Sequence, residues 1–322
     1  MMKYRVGTRG SRLALAQTKI VLQQLRRLIP SIDYKTITVA TKGDIDKRPL
    51  FAIDQKGIFE KDLNKLVILG NIDFAVHSLK DIPSDLSNEL TIACIPKRAK
   101  ANDVLVNGKK QRLTELPAGS TIGTSSLRRA IQVMRKRPDL NVRPIRGNVE
   151  TRVKKSIASK EYDAVILAEA GLTRMGMKDV IVERFCIRDF VPAPGQGAIA
   201  IVSRKDNLKL IKTLKCIQHI SSKAEIDAER ALLRKIEGGC RFPVGAIATA
   251  NQNKQKITLH ANVFSADGTK SIEVRETGSL NNPNKLGTRT GNLLLEQGAA
   301  NLSQGWRNAV TEWNKNYDTK QK

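Results

Sequence analysis

Hydrophobic spacing predicts a strand at residues 4 to 7, a small polar turn Thr8-Arg9-Gly10-Ser11, and a helix with Leu13, Ile20, Val21, Leu25 and Leu28 on its apolar side. Strand, turn, helix is an anion-binding layout: the free N–H groups of the first helical turn face whatever lies beyond the strand, and Ser11 is placed to cap them. A second strand follows from Tyr34 to Ala40, and Lys56-Gly57-Ile58-Phe59 begins a helix that turns Leu63, Leu66 and Val67 inward. The next strand, Ile72 to Val76, runs into His77-Ser78-Leu79-Lys80-Asp81. Polar residues at the C-terminal end of a buried strand sit where open α/β sheets bind ligands.

The pattern then repeats. Ile122-Gly123-Thr124-Ser125-Ser126-Leu127 echoes Val6-Gly7-Thr8-Arg9-Gly10-Ser11, and Asp163-Ala164-Val165-Ile166 echoes Asp73-Phe74-Ala75-Val76. Two α/β lobes of similar topology are expected, with a linker at Lys97-Arg98-Ala99-Lys100 and a stiff crossing, Val191 to Gly197, returning the chain to the first lobe as part of a hinge. The expected boundaries are 1–96 with 197–215 for the first lobe, 101–192 for the second, and 218–322 for a smaller α+β domain. Its first helix opens with Ser222 and Glu225 in capping-box spacing and carries Ile226, Leu232, Leu233 and Ile236. Antiparallel strands are expected near 244–250, 257–265 and 271–277, then helices from about 284.

Composition adds one anomaly to this ordinary picture. Of the 322 residues, 56 are Lys or Arg and 31 Asp or Glu, a net charge of +25, which calls for an acidic substrate or a polyanionic partner unless it reflects a generally basic proteome. The charge concentrates between 121 and 160, where eleven Lys and Arg meet only Asp139 and Glu150. Arg128 and Arg129 fall in the first turn of a helix capped by Ser125 or Ser126, an unfavourable place for cations unless an anion joins them. Arg146-Gly147-Asn148, Arg152 and, after the strand at 163 to 168, Arg174 join the same rim. Aromatics are only 4%, too few for the stacking surfaces of a nucleic-acid binder. The N-terminus has no apolar run and no segment is long enough to span a membrane, so a cytoplasmic protein is expected. Three scattered His at 77, 219 and 260, and four Cys without C-x-x-C spacing, give no metal site or disulfide framework.

Three of the cysteines, Cys94, Cys186 and Cys216, stand in apolar strings and read as buried structural thiols. Cys240 differs: it follows Glu237-Gly238-Gly239 and precedes Arg241-Phe242-Pro243, on a tether between helix and strand, with a cation that would favour its thiolate. Asp81, after Lys80 at a strand end, is a candidate acid–base or charge-stabilising group or else half of a surface ion pair.

Taken together, His77-Ser78-Leu79-Lys80-Asp81, Gly123-Thr124-Ser125-Ser126-Leu127-Arg128-Arg129, Arg146-Gly147-Asn148, Gly195-Gln196-Gly197 and Glu237-Gly238-Gly239-Cys240 resemble the porphobilinogen deaminases, in that family's order and spacing, from Thr8 to about Gly245. The resemblance implies two doubly wound, periplasmic-binding-protein-like lobes joined by hinge strands, with a cysteine-bearing third domain that has a three-stranded antiparallel sheet. It implies a monomeric transferase that joins four porphobilinogen units into hydroxymethylbilane for tetrapyrrole synthesis, on a dipyrromethane cofactor held by a thioether to Cys240. Asp81 would be the catalytic carboxylate. Cofactor side chains would meet Lys80, Asp81, Thr124, Ser126, Arg128, Arg129, Arg146 and Gly147, and substrate would meet Arg9, Ser11, Arg146, Arg152, Arg174 and Gln196. The charge then has a reason, because every pyrrole carries an acetate and a propionate, and the arginine fork suits carboxylates.

The main alternative on sequence is a two-lobe anion-binding protein without catalysis, and a nucleic-acid binder comes next. One departure from the resembled family is Asp54-Gln55-Lys56-Gly57, where two glycines commonly precede the loop lysine; a changed elongation rate is expected from it.

Overall fold

A computed structural model of the protein describes residues 3–40, 60–158, 161–236, 243–302 and 305–306. The Lys56 helix start, the Asp54 departure and Cys240 lie outside these residues. In the first lobe, β1 (Lys3–Arg9), α1 (Arg12–Leu28), β2 (Asp33–Val39), α2 (Lys61–Ile68), β3 (Phe74–Ser78) and β4 (Leu90–Cys94) succeed one another. In the second come β5 (Asp103–Val106), β6 (Thr121–Gly123), α3 (Leu127–Lys136), β7 (Asn141–Arg143), α4 (Val149–Ile157), β8 (Ala164–Ala168), α5 (Glu169–Arg174) and β9 (Ile181–Arg184). The chain then returns through β10 (Ile199–Arg204) and α6 (Leu208–Leu214), and ends with α7 (Ile220–Ile236), β11 (Val244–Asn251), β12 (Lys256–Phe264), β13 (Ser271–Ser279), α8 (Pro283–Glu296) and α9 (Ala299–Leu302).

The two lobes share one plan. Their sheets run β2-β1-β3-β10-β4 and β7-β6-β8-β5-β9, with the first three strands of each parallel and the fourth antiparallel to both neighbours. That fourth strand arrives in each case straight from the other lobe, so the two crossings form the hinge. The sequence echo is a register match: Val6 and Gly7 pair with Phe74 and Ala75 as Ile122 and Gly123 pair with Ala164 and Val165. Asp73 accepts from the Arg5 N–H at 2.6 Å, and Asp163 accepts from the Thr121 N–H at 2.8 Å. Each aspartate therefore pins the start of the strand that leads to an anion-facing turn.

Helix α1 buries Ala14, Gln17, Thr18, Val21, Leu22 and Leu25, and Ser11 caps it through Ala14 N–H at 3.3 Å. Leu28, expected inside, is exposed, because the buried stripe drifts round the helix before its last turn. In the third unit β11-β12-β13 form an antiparallel meander whose inner face, Ile257, Leu259, Ala261 and Val263, packs on Ala228, Leu232 and Ile236 of α7 and Leu286 and Leu294 of α8. The proposed capping box of this helix is corrected. It starts at Ile220, and the His219 ring caps it by accepting from Ser222 N–H at 3.2 Å, while Glu225 is drawn away to accept from Ala250 N–H. Cys94 is buried as expected, but Cys186 and Cys216 are exposed, the first in the irregular segment after β9 and the second on the 3-10 turn Lys215–Ile217.

The hinge is tight. Gly197 has φ +85°, and a Cβ there would stand 2.5 Å from the Ala99 carbonyl oxygen, so the two crossings lie against each other, joined by Ala99 N–H to Gly197 C=O at 3.1 Å. No helix among the described residues is long and apolar enough to cross a membrane.

Candidate active site

The site begins where β3 ends. Leu79–Asp81 forms a single 3-10 turn at the sheet's C-terminal edge, which puts Lys80 and Asp81 on the rim and buries Leu79 beneath them. Arg9, Ser11, Ser78 and Asp81 line one recess with His77. Gln17 of α1 braces this edge by donating to the Ser78 hydroxyl at 2.8 Å, and Thr18 donates to Thr8 at 2.8 Å. His77 is 5% exposed, and burial followed by the Arg9 charge pushes its pKa down to about 4, so it stays neutral.

Across the hinge the second lobe brings up its arginines. Arg128 and Arg129 do lie in the first turn of α3, but the anion that joins them is internal. Asp103, the first residue of β5, is fully buried and pairs with Arg128 Nη1 at 2.8 Å and Arg129 Nη2 at 2.7 Å. Burial alone would raise its pKa; the two guanidinium groups overcome that and hold it at about 2. Arg129 also donates to the Ile166 carbonyl at 3.1 Å, and Arg128 to that of Val191 at 2.7 Å. The two side chains are 5% and 6% exposed, so much of their donor capacity is spent inside the protein and only the remainder can face the cleft.

Gln196 is placed behind Arg129 and not on the open wall. Its amide donates to Asp103 at 2.8 Å and to the Ala101 carbonyl at 2.6 Å, and its own N–H is bound to the Ala193 carbonyl. Its carbonyl accepts from Arg98 Nε at 2.8 Å. Arg98, read from sequence as linker, is a buried clamp. It pairs with the fully buried Glu229 of α7 at 2.6 Å, and Glu229 also accepts from Gly195 N–H at 2.6 Å and Ala248 N–H at 2.8 Å. An unbroken polar chain thus runs from α7 through Glu229, Arg98, Gln196 and Asp103 to the arginine pair. A buried ion pair this well satisfied fixes a geometry more than it adds stability.

The remaining predicted residues divide by exposure. Thr124 is 1% exposed and its hydroxyl accepts from Ser126 N–H at 3.2 Å, whereas the Ser126 side chain makes no capping bond at the start of α3. Ser125 bonds the backbone of Ile145 and holds the 145–148 turn in place. Gly147 sits at φ +114°, and its carbonyl accepts from Arg152 Nε at 2.8 Å. Arg146 and Arg152 are half-buried on this rim; burial, then Arg129 and Arg146, push Arg152 down to about 10. Arg174 donates to the Gly197 carbonyl at 2.6 Å and is lowered by burial to about 10. Lys80 keeps an open side toward solvent, yet the protein enclosing its other sides, then Arg129, push it down to about 8. This wall has more cations than its own carboxylates can balance.

Asp103, Arg98, Glu229 and Gln17 escaped sequence reasoning. The first three belong to one network assembled from β5, the hinge and α7, and no local spacing relates them. Asp103 opens a strand of apolar residues, and a charge in that place was the one available signal.

Comparison with known proteins fits this geometry. The family model described as porphobilinogen deaminase, dipyromethane cofactor binding domain, matches residues 4–212, and that of the porphobilinogen deaminase C-terminal domain matches 223–296. The similarity thus extends well past Gly245, where motif resemblance ends, because the C-terminal sheet carries packing residues and few cleft motifs. A probable porphobilinogen deaminase of Nitrosopumilus maritimus is 52% identical over 98% of this chain and 100% of its own length. The porphobilinogen deaminase of Desulforudis audaxviator is 42% identical over 92% of this chain and 96% of its own. Among solved structures, the methionine-binding protein MetQ is 12% identical with a TM-score of 0.43, over 66% of this chain and 90% of its own. By the two family models and these near full-length relatives, the chain belongs to the porphobilinogen deaminase family.

Proposed function

We propose that this chain joins four molecules of porphobilinogen head to tail, releasing ammonia at each step, on a dipyrromethane primer carried by Cys240, and so makes hydroxymethylbilane for tetrapyrrole synthesis. The observation that supports this reading is the cation-rich rim facing the recess that Asp81 lines with Arg9, Ser11 and Ser78. Lys80, Arg152 and Arg174 are all held below their ordinary pKa, to about 8, 10 and 10, a strain that bound carboxylates relieve. A primer with an acetate and a propionate on each pyrrole suits that donor set, so the residues present fit the group.

Lys80, Ser126, Arg128, Arg129, Arg146 and the Gly147 backbone would hold the primer, with Thr124 shaping the turn. When bound, it supplies the free pyrrole carbon at which the chain grows. Arg9, Ser11, Arg152 and Arg174 orient the incoming substrate by its two acid arms, and Gln196 acts from behind, through Arg129. Asp81 stabilises the positive charge left on the porphobilinogen ring as ammonia departs. Asp103 keeps the arginine forks aimed. A cytoplasmic monomer that engages neither nucleic acid nor membrane completes the proposal. The anion receptor without catalysis is not favoured, because relatives matched over nearly their whole length are porphobilinogen deaminases.

Turnover of porphobilinogen by the purified protein tests the reading, with ammonia and a linear tetrapyrrole as products. Exposed charge pairing weakens with salt, so KM is expected to rise steadily between low and physiological ionic strength while kcat moves less. Tight anion binding without ammonia release would leave only the receptor.

A further inference from the structure

The mouth of the cleft is bridged by an ion pair that the chemistry above does not use. Arg12, the first residue of α1, pairs through Nη1 with Glu150 in the first turn of α4, from one lobe to the other. Beside it Leu13, Val149 and Gly171 converge: a Cβ on Gly171 would stand 3.7 Å from Leu13 Cδ2 and 3.8 Å from Val149 Cγ2.

Glu150 suits the first turn of its own helix, whereas the position of Arg12 is unfavourable to its helix. Arg12 puts a cation in the first turn of α1, against the helix dipole, and that turn holds no acidic residue to offset it. Glu150 is flanked in sequence by Arg146 and Arg152, yet its carboxylate reaches across the cleft to Arg12. The other carboxylate of this basic stretch, Asp139, is bound locally by Arg137 at 2.6 Å and faces elsewhere. Arg12 also adjoins Ser11 and lies three residues from Arg9, both on the substrate recess. The Arg12 side chain is 63% exposed, so a second carboxylate can reach it from solvent.

We propose that Arg12 is a further substrate-carboxylate-binding residue and that Glu150 is its internal competitor, occupying the guanidinium until an acid arm of porphobilinogen takes its place. The exchange trades one carboxylate for another on the same cation, so it costs little, and it frees the lobes at the rim as substrate enters. Exposed ion pairs are weak, which sets the scale of the effect at about fivefold in affinity or less. The proposal rests on assigning the neighbouring rim to substrate carboxylates.

Steady-state kinetics of Arg12→Gln, Glu150→Gln and Arg152→Gln, each at two ionic strengths, separate the possibilities. Loss of the competitor is expected to lower KM in Glu150→Gln, and loss of the binding group to raise it in Arg12→Gln, each by up to about fivefold, with smaller changes in kcat. A purely structural clasp would move both variants in the same direction. Any pattern other than opposite shifts in KM overturns the exchange. Arg152→Gln reports on the rim itself: a raised KM there, with no opposite shifts at Arg12 and Glu150, defeats only the exchange, and an unchanged KM defeats the rim assignment as well.

Discussion

Asp81→Asn is expected to lower kcat by about 10²- to 10⁴-fold, the range typical of a lost catalytic carboxylate, while the chain still carries its primer on Cys240. The substitution keeps size and shape on a half-exposed 3-10 turn, so folding is spared and the loss falls on chemistry. A second readout is tied to the neighbouring lysine. Asp81 is one of the charges that raise the pKa of Lys80, which burial and Arg129 push down to about 8. Carboxylate binding needs the lysine protonated, so kcat/KM is expected to fall as pH rises through about 8, and the residual activity of Asp81→Asn should fall at lower pH. Wild-type rates in this variant would remove Asp81 from the mechanism.

The second large effect is expected at Asp103. Asp103→Asn leaves two buried guanidinium groups without their shared anion, and breaking a buried pair in this way typically costs about 3–5 kcal/mol. A lower denaturant midpoint at unchanged m would register it, and a shift worth under about 1 kcal/mol would contradict it. The same network predicts acid sensitivity. With its native pKa held near 2, below the ordinary 3.8, Asp103 contributes stability that is present above about pH 4 and lost as pH falls toward 2. His77 acts earlier and in the same direction. Its native pKa of about 4 lies below the ordinary 6.5, so the unfolded chain takes the proton first and stability declines between about pH 6.5 and 4.

Local pattern carried much of the fold. The strand–turn–helix units were legible because apolar spacing within one element is set by that element alone, and the echo between Val6-Gly7 and Ile122-Gly123 reports a shared register. Lys80, Asp81 and the arginine rim were legible because strand ends and helix starts place polar residues predictably. What sequence missed depends on contacts between distant segments. Arg98 and Glu229 are 131 residues apart, and a buried pair between them looks, locally, like a linker cation and an ordinary helix glutamate. Arg128 and Arg129 were found for a sound reason, that cations at a helix start need an anion, but the anion is Asp103, supplied by a strand 25 residues upstream. Cys186 and Cys216 failed in the other direction, since apolar neighbours in sequence do not bury a residue that lies outside the sheets and faces outward.

The central claim is that this chain grows tetrapyrrole on a primer it carries covalently, and the intact mass of the purified active protein tests that most directly. The expected result is a mass above that of the 322-residue chain by one two-pyrrole adduct, localised to Cys240 by peptide mapping. Active protein of unmodified mass, with Cys240 freely alkylated, would contradict it.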